Sequence, residues 1–480
     1  MIIFYFGCII FSLLSFLIGW PSGSDFLIYY IPGIFSMINA SISSYNLIIR
    51  KRELGAFIIY FGNFIFYYLQ IVNPSNYEYS IYLMRNLTEQ SIFIGSIVII
   101  VQPLLMHASM ILWTKALYNK IEKLYSAPTP RNTSLFHKYF FLFFLFLFLI
   151  NFSLQAITGK VVVSALQTII NLRTQVTYEG LPGIFFSLTF FMATSVSLFF
   201  ANLYLFKTKY KTVAILTLPF STIWFLSSLL SGTRTIIIMS VMGILLYIIR
   251  RFKIGFLTIL LTMLLMFFTF ALSQYSSKFR YTGAQNLDAK ELFYNITELQ
   301  GLENYYDQCR SYNYYFDKYS DFWFFENEVI AGLFSFIYKP TEMIIFWIPR
   351  SMWANKPLDP TFVEFTRYSL YLFHGFAPEY SKEISSYDPG FGTNSTAGIL
   401  GRDLMRFGFL GPISTLLWFG LLLALSNIYY KVSYKRFECV LISLAFTGTC
   451  FAMFRDLAPG WTIQLSSLAI MTHFALRFSK

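Results

Sequence analysis

The nineteen residues IGFLTILLTMLLMFFTFAL, Ile254–Leu272, carry no charge and stop abruptly at Ser273. Immediately before them stand Arg250-Arg251-Phe252-Lys253. A bilayer core of about 30 Å takes about 20 apolar residues of helix. Basic residues collect where such a helix leaves the membrane on its cytoplasmic side. The stretch therefore reads as a membrane span anchored at its first end. Beyond it, Ser273–Gly408 is polar and holds most of the chain's acidic residues. Membrane, then a long watery insert, is the pattern that organises the chain.

Working outward, the rest of the sequence repeats the first half of that pattern. Of 480 residues, 56% are hydrophobic and only 12% charged, against about 25% charged in a soluble domain. The apolar runs are apolar on all sides, so helices are expected rather than the alternating strands of a β-barrel. Twelve spans can be drawn: Ile2–Trp20, Phe26–Ile49, Leu54–Val72, Ser91–Trp113, Tyr139–Ile157, Gly183–Phe206, Thr212–Leu230, Thr235–Ile249, Ile254–Leu272, Phe409–Tyr430, Phe437–Phe454 and Trp461–Leu476. The first run lacks a basic leader and a small-residue cleavage site, and reads as a retained helix.

Charge tests the count. With the N-terminus inside, the inside segments hold nineteen Lys or Arg and the short outside segments five, the bias that topology requires. The net charge of +12 is thus taken up by anchors, and nucleic acid is not an expected partner. Residues 1–272 form nine spans, 273–408 one large outside loop, and 409–480 three more spans. Within the loop, Asp288–Gln300 is expected to be helical. Val329–Trp347 reads as an interfacial or re-entrant helix pair, because Lys339, Pro340 and Glu342 interrupt it.

The sequence excludes several chemistries. It has no GxxxxGK[ST] phosphate loop and no HExxH. The four cysteines and four histidines show no metal spacing, and no cofactor is expected. Carboxylates are almost absent from the spans, which weakens a proton-coupled carrier. What remains is arginine on the outside. Arg234 sits in Ser231-Gly232-Thr233-Arg234-Thr235, pinned between two spans. Arg350 comes just after the interfacial segment, and Arg402 and Arg406 lie just before the tenth span. Guanidinium suits bidentate phosphate recognition. On a helix, Arg402 and Arg406 would share a face and repel unless an anion lay near them. Arg173 is another outside arginine, for which snorkelling to lipid phosphate is the simpler reading. Asp403, Asp388, Glu379 and His374 are candidate general bases. Asp403 stands beside two arginines, where it either accepts a proton or neutralises them.

The Ser231–Thr235 segment, opening a helix that ends at Arg250-Arg251, resembles the Ser-Gly-[Ser/Thr]-Arg segment of bacterial O-antigen polymerases of the Wzy type. Pro349–Pro357, and the stretch Gly398–Gly411 with its Phe-Gly-x-x-Gly exit, resemble that family's large periplasmic loop. Where many relatives carry Gly-Glu and then Asn, this chain has Gly401-Arg402 and Arg406. The resemblance implies a GT-C-like glycosyltransferase of the inner membrane, with both termini cytoplasmic. It would join undecaprenyl-pyrophosphate-linked repeat units on the periplasmic face, without metal or nucleotide. Membrane lipids and a chain-length regulator are the other partners it implies. Arg234 would stabilise the departing pyrophosphate, with Arg402, Arg406, Arg350 and Arg173 as further phosphate or glycan contacts and Asp403 as the base. Two rivals differ in class. An O-antigen ligase often has a His-Asn pair in its late loop, where this chain reads Thr393-Asn394-Ser395. A lipid-linked oligosaccharide flippase normally lacks so large an outside loop.

Overall fold

A computed structural model of the chain describes residues 1–69, 87–126, 245–246, 303–316, 328–347, 398–434 and 439–455. Among these residues the secondary structure is helical, with no strand. Four helical segments are long and apolar enough to cross a membrane: Ile2–Ser22, Phe26–Ile48, Glu89–Tyr125 and Leu410–Val432. They match four of the expected spans. The expected spans beginning at Leu54 and Phe437 correspond to shorter apolar helices. Of the five between Tyr139 and Leu272 only Leu245 and Leu246 are described, both helical and buried; the rest of those five, the last span at Trp461–Leu476 and the Asp288–Gln300 helix lie outside the described residues. Helical throughout the described residues, with apolar helices of membrane-crossing length, the protein is a helical membrane protein.

Helix α1 (Ile2–Ser22) ends at Gly23, whose φ of +64° turns the chain back. The Ser24 N–H then reaches the Gly19 carbonyl at 3.2 Å, closing the last turn. A π-helical turn, Phe26–Tyr30, leads into α2 (Ile31–Ile48). A short linker with positive φ at Lys51 and Glu53 passes to α3 (Leu54–Asn63), which runs on into a second π-helical turn, Phe64–Tyr68.

Helix α4 (Glu89–Ser126) has 38 residues, about 57 Å at 1.5 Å per residue. It overruns the expected end at Trp113 because Thr114–Ser126 is rich in helix formers. Leu117, Tyr118, Ile121 and Tyr125 also keep facing the core. The remaining helices are α5 (Glu303–Phe316), α6 (Glu328–Trp347), α7 (Gly398–Phe407), α8 (Leu410–Val432) and α9 (Cys439–Arg455).

Helices α4 and α8 run parallel at the centre. Gly420 of α8 lies against Ser109 of α4, where an added Cβ would come within 3.0 Å of backbone. Trp113 Nε1 donates to the Leu417 carbonyl at 3.0 Å. Close approach at small residues, fastened by polar groups, is how helices associate in lipid. On one flank the Gly55 N–H at the start of α3 donates to Asn427 Oδ1 of α8 at 3.4 Å. On the other, Ser426 of α8 and Thr447 of α9 meet at 2.7 Å, and Ser443 Oγ donates to the Ser426 carbonyl at 2.8 Å.

Helix α6 corrects the expectation of a helix pair: Glu328–Trp347 is one continuous helix through Lys339-Pro340. Proline has no N–H to give the carbonyl four residues back, which is that of Phe336. Trp418 of α8 supplies the missing donor, its Nε1 lying 3.3 Å from the Phe336 oxygen. The interruption is repaired from a neighbouring helix.

Candidate active site

At the end of the bundle where α4 and α8 begin, α5 and α7 pack together and against these two helices. The sequence of α5, ENYYDQCRSYNYYF, is polar, yet Tyr305, Tyr306, Gln308, Cys309, Arg310, Ser311, Tyr312 and Asn313 are all buried. Burial of such a helix requires partners for its polar groups, and α4 provides several. Asn313 Oδ1 accepts from the Thr88 N–H at 2.9 Å, the Thr88 hydroxyl at 2.9 Å and the Ser91 hydroxyl at 3.0 Å. It thereby helps cap the first turn of α4. One turn deeper, Tyr305 Oη donates to Ser96 Oγ at 2.5 Å.

Gly95 makes this approach possible. A Cβ there would stand 2.7 Å from Cys309 Sγ and 2.9 Å from Cys309 Cα. Burial pushes the Cys309 thiol well above the usual thiol range, so Cys309 is a packing group and not a nucleophile.

Helix α7 carries Arg402, Asp403 and Arg406 and ends in Phe407-Gly408-Phe409-Leu410-Gly411, the Phe-Gly-x-x-Gly exit of the sequence. The structure gives both glycines a reason. Gly408 has φ +66° and its N–H closes on the Leu404 carbonyl at 2.9 Å, a conformation that glycine adopts without strain. Gly411 lies against the Asp403 backbone carbonyl, where any Cβ would collide. The two together fold α7 back onto the start of α8. Across this elbow the Thr415 hydroxyl donates to Asp403 Oδ2.

Asp403 and Arg406 are both buried, at 3% and 1% exposure, and lie i, i+3 on the inward face of α7. The Arg406 guanidinium sits 5.0 Å from the centre of the Tyr338 ring of α6 and 5.1 Å from that of Phe407. On α5, Arg310 is also 1% exposed, and its guanidinium lies 4.7 Å from the Tyr306 ring centre. Aromatic faces stabilise a desolvated cation by about 2 kcal/mol. Two buried arginines on two adjoining helices, with a carboxylate held on one of them, make this the most strongly charged interior among the described residues.

The structure thus places Asp403 and Arg406 together, and adds Arg310, which the sequence did not single out. Arg402 is on α7, one turn before Arg406. Arg234, Arg350 and Arg173 lie outside the described residues. The signal for Arg310 was faint but present: Tyr306 and Arg310, four apart, set an aromatic ring under a guanidinium on one helix face. No protein-family model matches this chain, and no match was found among curated proteins or solved structures.

Proposed function

We propose that this protein is a membrane glycosyltransferase that polymerises oligosaccharide repeat units carried on a lipid pyrophosphate. The acceptor's sugar hydroxyl attacks the anomeric carbon of the growing donor chain. A new glycosidic bond forms, the bond from that carbon to the pyrophosphate oxygen breaks, and the hydroxyl proton passes to a base. The donor is already activated, so the main requirement is to stabilise charge on the departing pyrophosphate.

The observation that supports this reading is the burial of Arg406 and Arg310 on adjoining helices, at the end of the bundle that the charge pattern assigns to the outside. Preorganised guanidinium groups in a low-dielectric setting act on a developing anion far more strongly than they would in water. The resemblance of Ser231–Thr235 and Gly398–Gly411 to Wzy-type polymerases points the same way. In this reading Arg234 and Arg406 act on the pyrophosphate, Arg310, Arg402 and Arg350 assist, and Arg173 meets lipid phosphate. The hydrogen bond from Thr415 fits Asp403 to the neutralising role open to it, ahead of that of general base.

The test is deletion of the gene in its native host, with the surface polysaccharide resolved on a gel. Collapse of a ladder to a single repeat unit on the lipid core is the expected result. Loss of all glycan from the core, with long lipid-linked polymer accumulating, would mean a ligase. Single units trapped on the cytoplasmic leaflet would mean a flippase, and an unchanged ladder would overturn the proposal.

A further inference from the structure

Helix α6 is built inside out for a helix in water. Its outward residues are Val329, Ile330, Leu333 and Ile337, which are 59%, 52%, 60% and 68% exposed. Ala331, Gly332 and Ser335 face inward and are buried. The spacing i, i+1, i+4, i+8 sets the four large aliphatic side chains on one helix face. Thr341, four residues further, is exposed on that face as well, and its hydroxyl donates to the Ile337 carbonyl of its own helix at 2.9 Å. On the inner face Ser335 likewise donates to the Gly332 carbonyl at 2.5 Å. Water favours the opposite arrangement, with aliphatic side chains inward. Small residues at the helix contact are instead the pattern of helices packed within lipid.

The course of the helix agrees. Gly332 lies against Leu410 at the start of α8, where an added Cβ would collide. One turn on, the Phe336 carbonyl receives the Trp418 indole N–H. The two contacts advance together, from 332 to 336 and from 410 to 418, so α6 runs the same way as α8. Helix α8 is long and apolar enough to cross a membrane. From Val329 to Thr341 the outer face of α6 covers about 18 Å, more than half of a bilayer core of about 30 Å. Phe409 and Ile413, on either side of Leu410 in the sequence, are exposed too, so the apolar surface of α6 adjoins that of α8. A helix lying flat at the interface turns one face to lipid and the other to water. The other face of α6 packs instead on α7 and α8. The indole of Trp418 fits the same setting, because a carbonyl released by proline must find a donor within the protein where water is absent.

We propose that the outer face of α6, formed by Val329, Ile330, Leu333 and Ile337, is a contact surface for the hydrocarbon of the bilayer. The segment between Ser273 and Gly408 thus dips back into the membrane at α6. The inference does not depend on the function proposed for the arginines.

The test places a nitroxide on this face in the full-length protein, reconstituted into phosphatidylcholine vesicles. The variants are Ile330→Cys, Leu333→Cys and Ile337→Cys, each spin-labelled and read by power-saturation electron paramagnetic resonance. The four native cysteines are buried, so the unsubstituted protein serves as the blank. Leu14→Cys, on the exposed face of α1, serves as the lipid reference. Oxygen concentrates in hydrocarbon and a neutral nickel chelate stays in water. The expected result is collision with oxygen well above collision with the nickel chelate at Leu333→Cys and Ile337→Cys, matching Leu14→Cys. Ready collision with the nickel chelate would mean that water covers the face, and would overturn the proposal. Weak collision with both would mean that protein covers it, a second copy of this chain included, and would overturn it as well. All three substitutions fall on exposed positions, and any two that fold decide the outcome.

Discussion

Thr415 donates its hydroxyl to the carboxylate of Asp403, joining the last helix before the elbow to the first turns of the helix after it. Asp403 is buried, so the loss of this bond cannot be made good by bulk water. Thr415→Val keeps the shape and removes the donor, and should lower stability by about 1–3 kcal/mol. Asp403→Ala should cost more, because it also removes the negative charge beside Arg406. Asp403→Asn, which keeps an acceptor for Thr415, should fall between the two. Thermal unfolding of the detergent-solubilised variants, ranked against wild type, checks the order.

The repair at Pro340 makes a coupled prediction. Trp418→Phe removes the donor to the Phe336 carbonyl and should cost about 1 kcal/mol. In a Pro340→Ala background the alanine N–H can reach that carbonyl itself. There, Trp418→Phe should cost measurably less. A double-mutant cycle on unfolding temperature reads the difference, and equal costs in the two backgrounds would refute the repair.

Gly95 is the contact through which α5 settles on α4. Gly95→Leu should drive the two apart, since Cys309 Cα lies only 2.9 Å from the position of an added Cβ. In the native protein Cys309 is fully buried and should resist maleimide. In the variant it should label, as peptide mapping would show. The raised thiol pKa adds a pH dependence. The folded state holds this proton more tightly than the unfolded state, so the contribution is complete below the ordinary thiol value of 9.0. It is lost as pH rises above that value. Cys309→Ala should therefore flatten the alkaline arm of the stability profile.

Arg406 tests the chemistry. Arg406→Ala should reduce polymer length by at least about tenfold, given the usual size of a lost electrostatic contact at a developing charge. Arg406→Lys should restore little, because ammonium lacks the planar face that Tyr338 and Phe407 receive. Complementation of the deletion strain, with protein level measured alongside polysaccharide length, checks both. Full-length chains from Arg406→Ala would remove this residue from the site.

Where one apolar run suffices to define a helix, the sequence was readable: Ile2–Trp20 became Ile2–Ser22, and Phe409–Tyr430 became Leu410–Val432. What it concealed depends on partners distant along the chain. The continuity of α6 rests on an indole 82 positions from the carbonyl it serves. The burial of Arg310 rests on α4, more than two hundred residues earlier, which accepts a polar helix at Thr88, Ser91, Gly95 and Ser96. Composition alone reports that stretch as watery. The site was half legible for the same reason. Asp403 and Arg406 could be paired by helical spacing, whereas nothing local could bring α5 to them.

Helix α4 touches α5 near its first turn and reaches Tyr429 of α8 through Tyr125 near its last. Its 38 residues exceed a bilayer core by nearly half their length. One helix therefore holds the Arg310-bearing α5 at one end and α8 at the other, with Ser91 and Tyr125 about 51 Å apart along its axis.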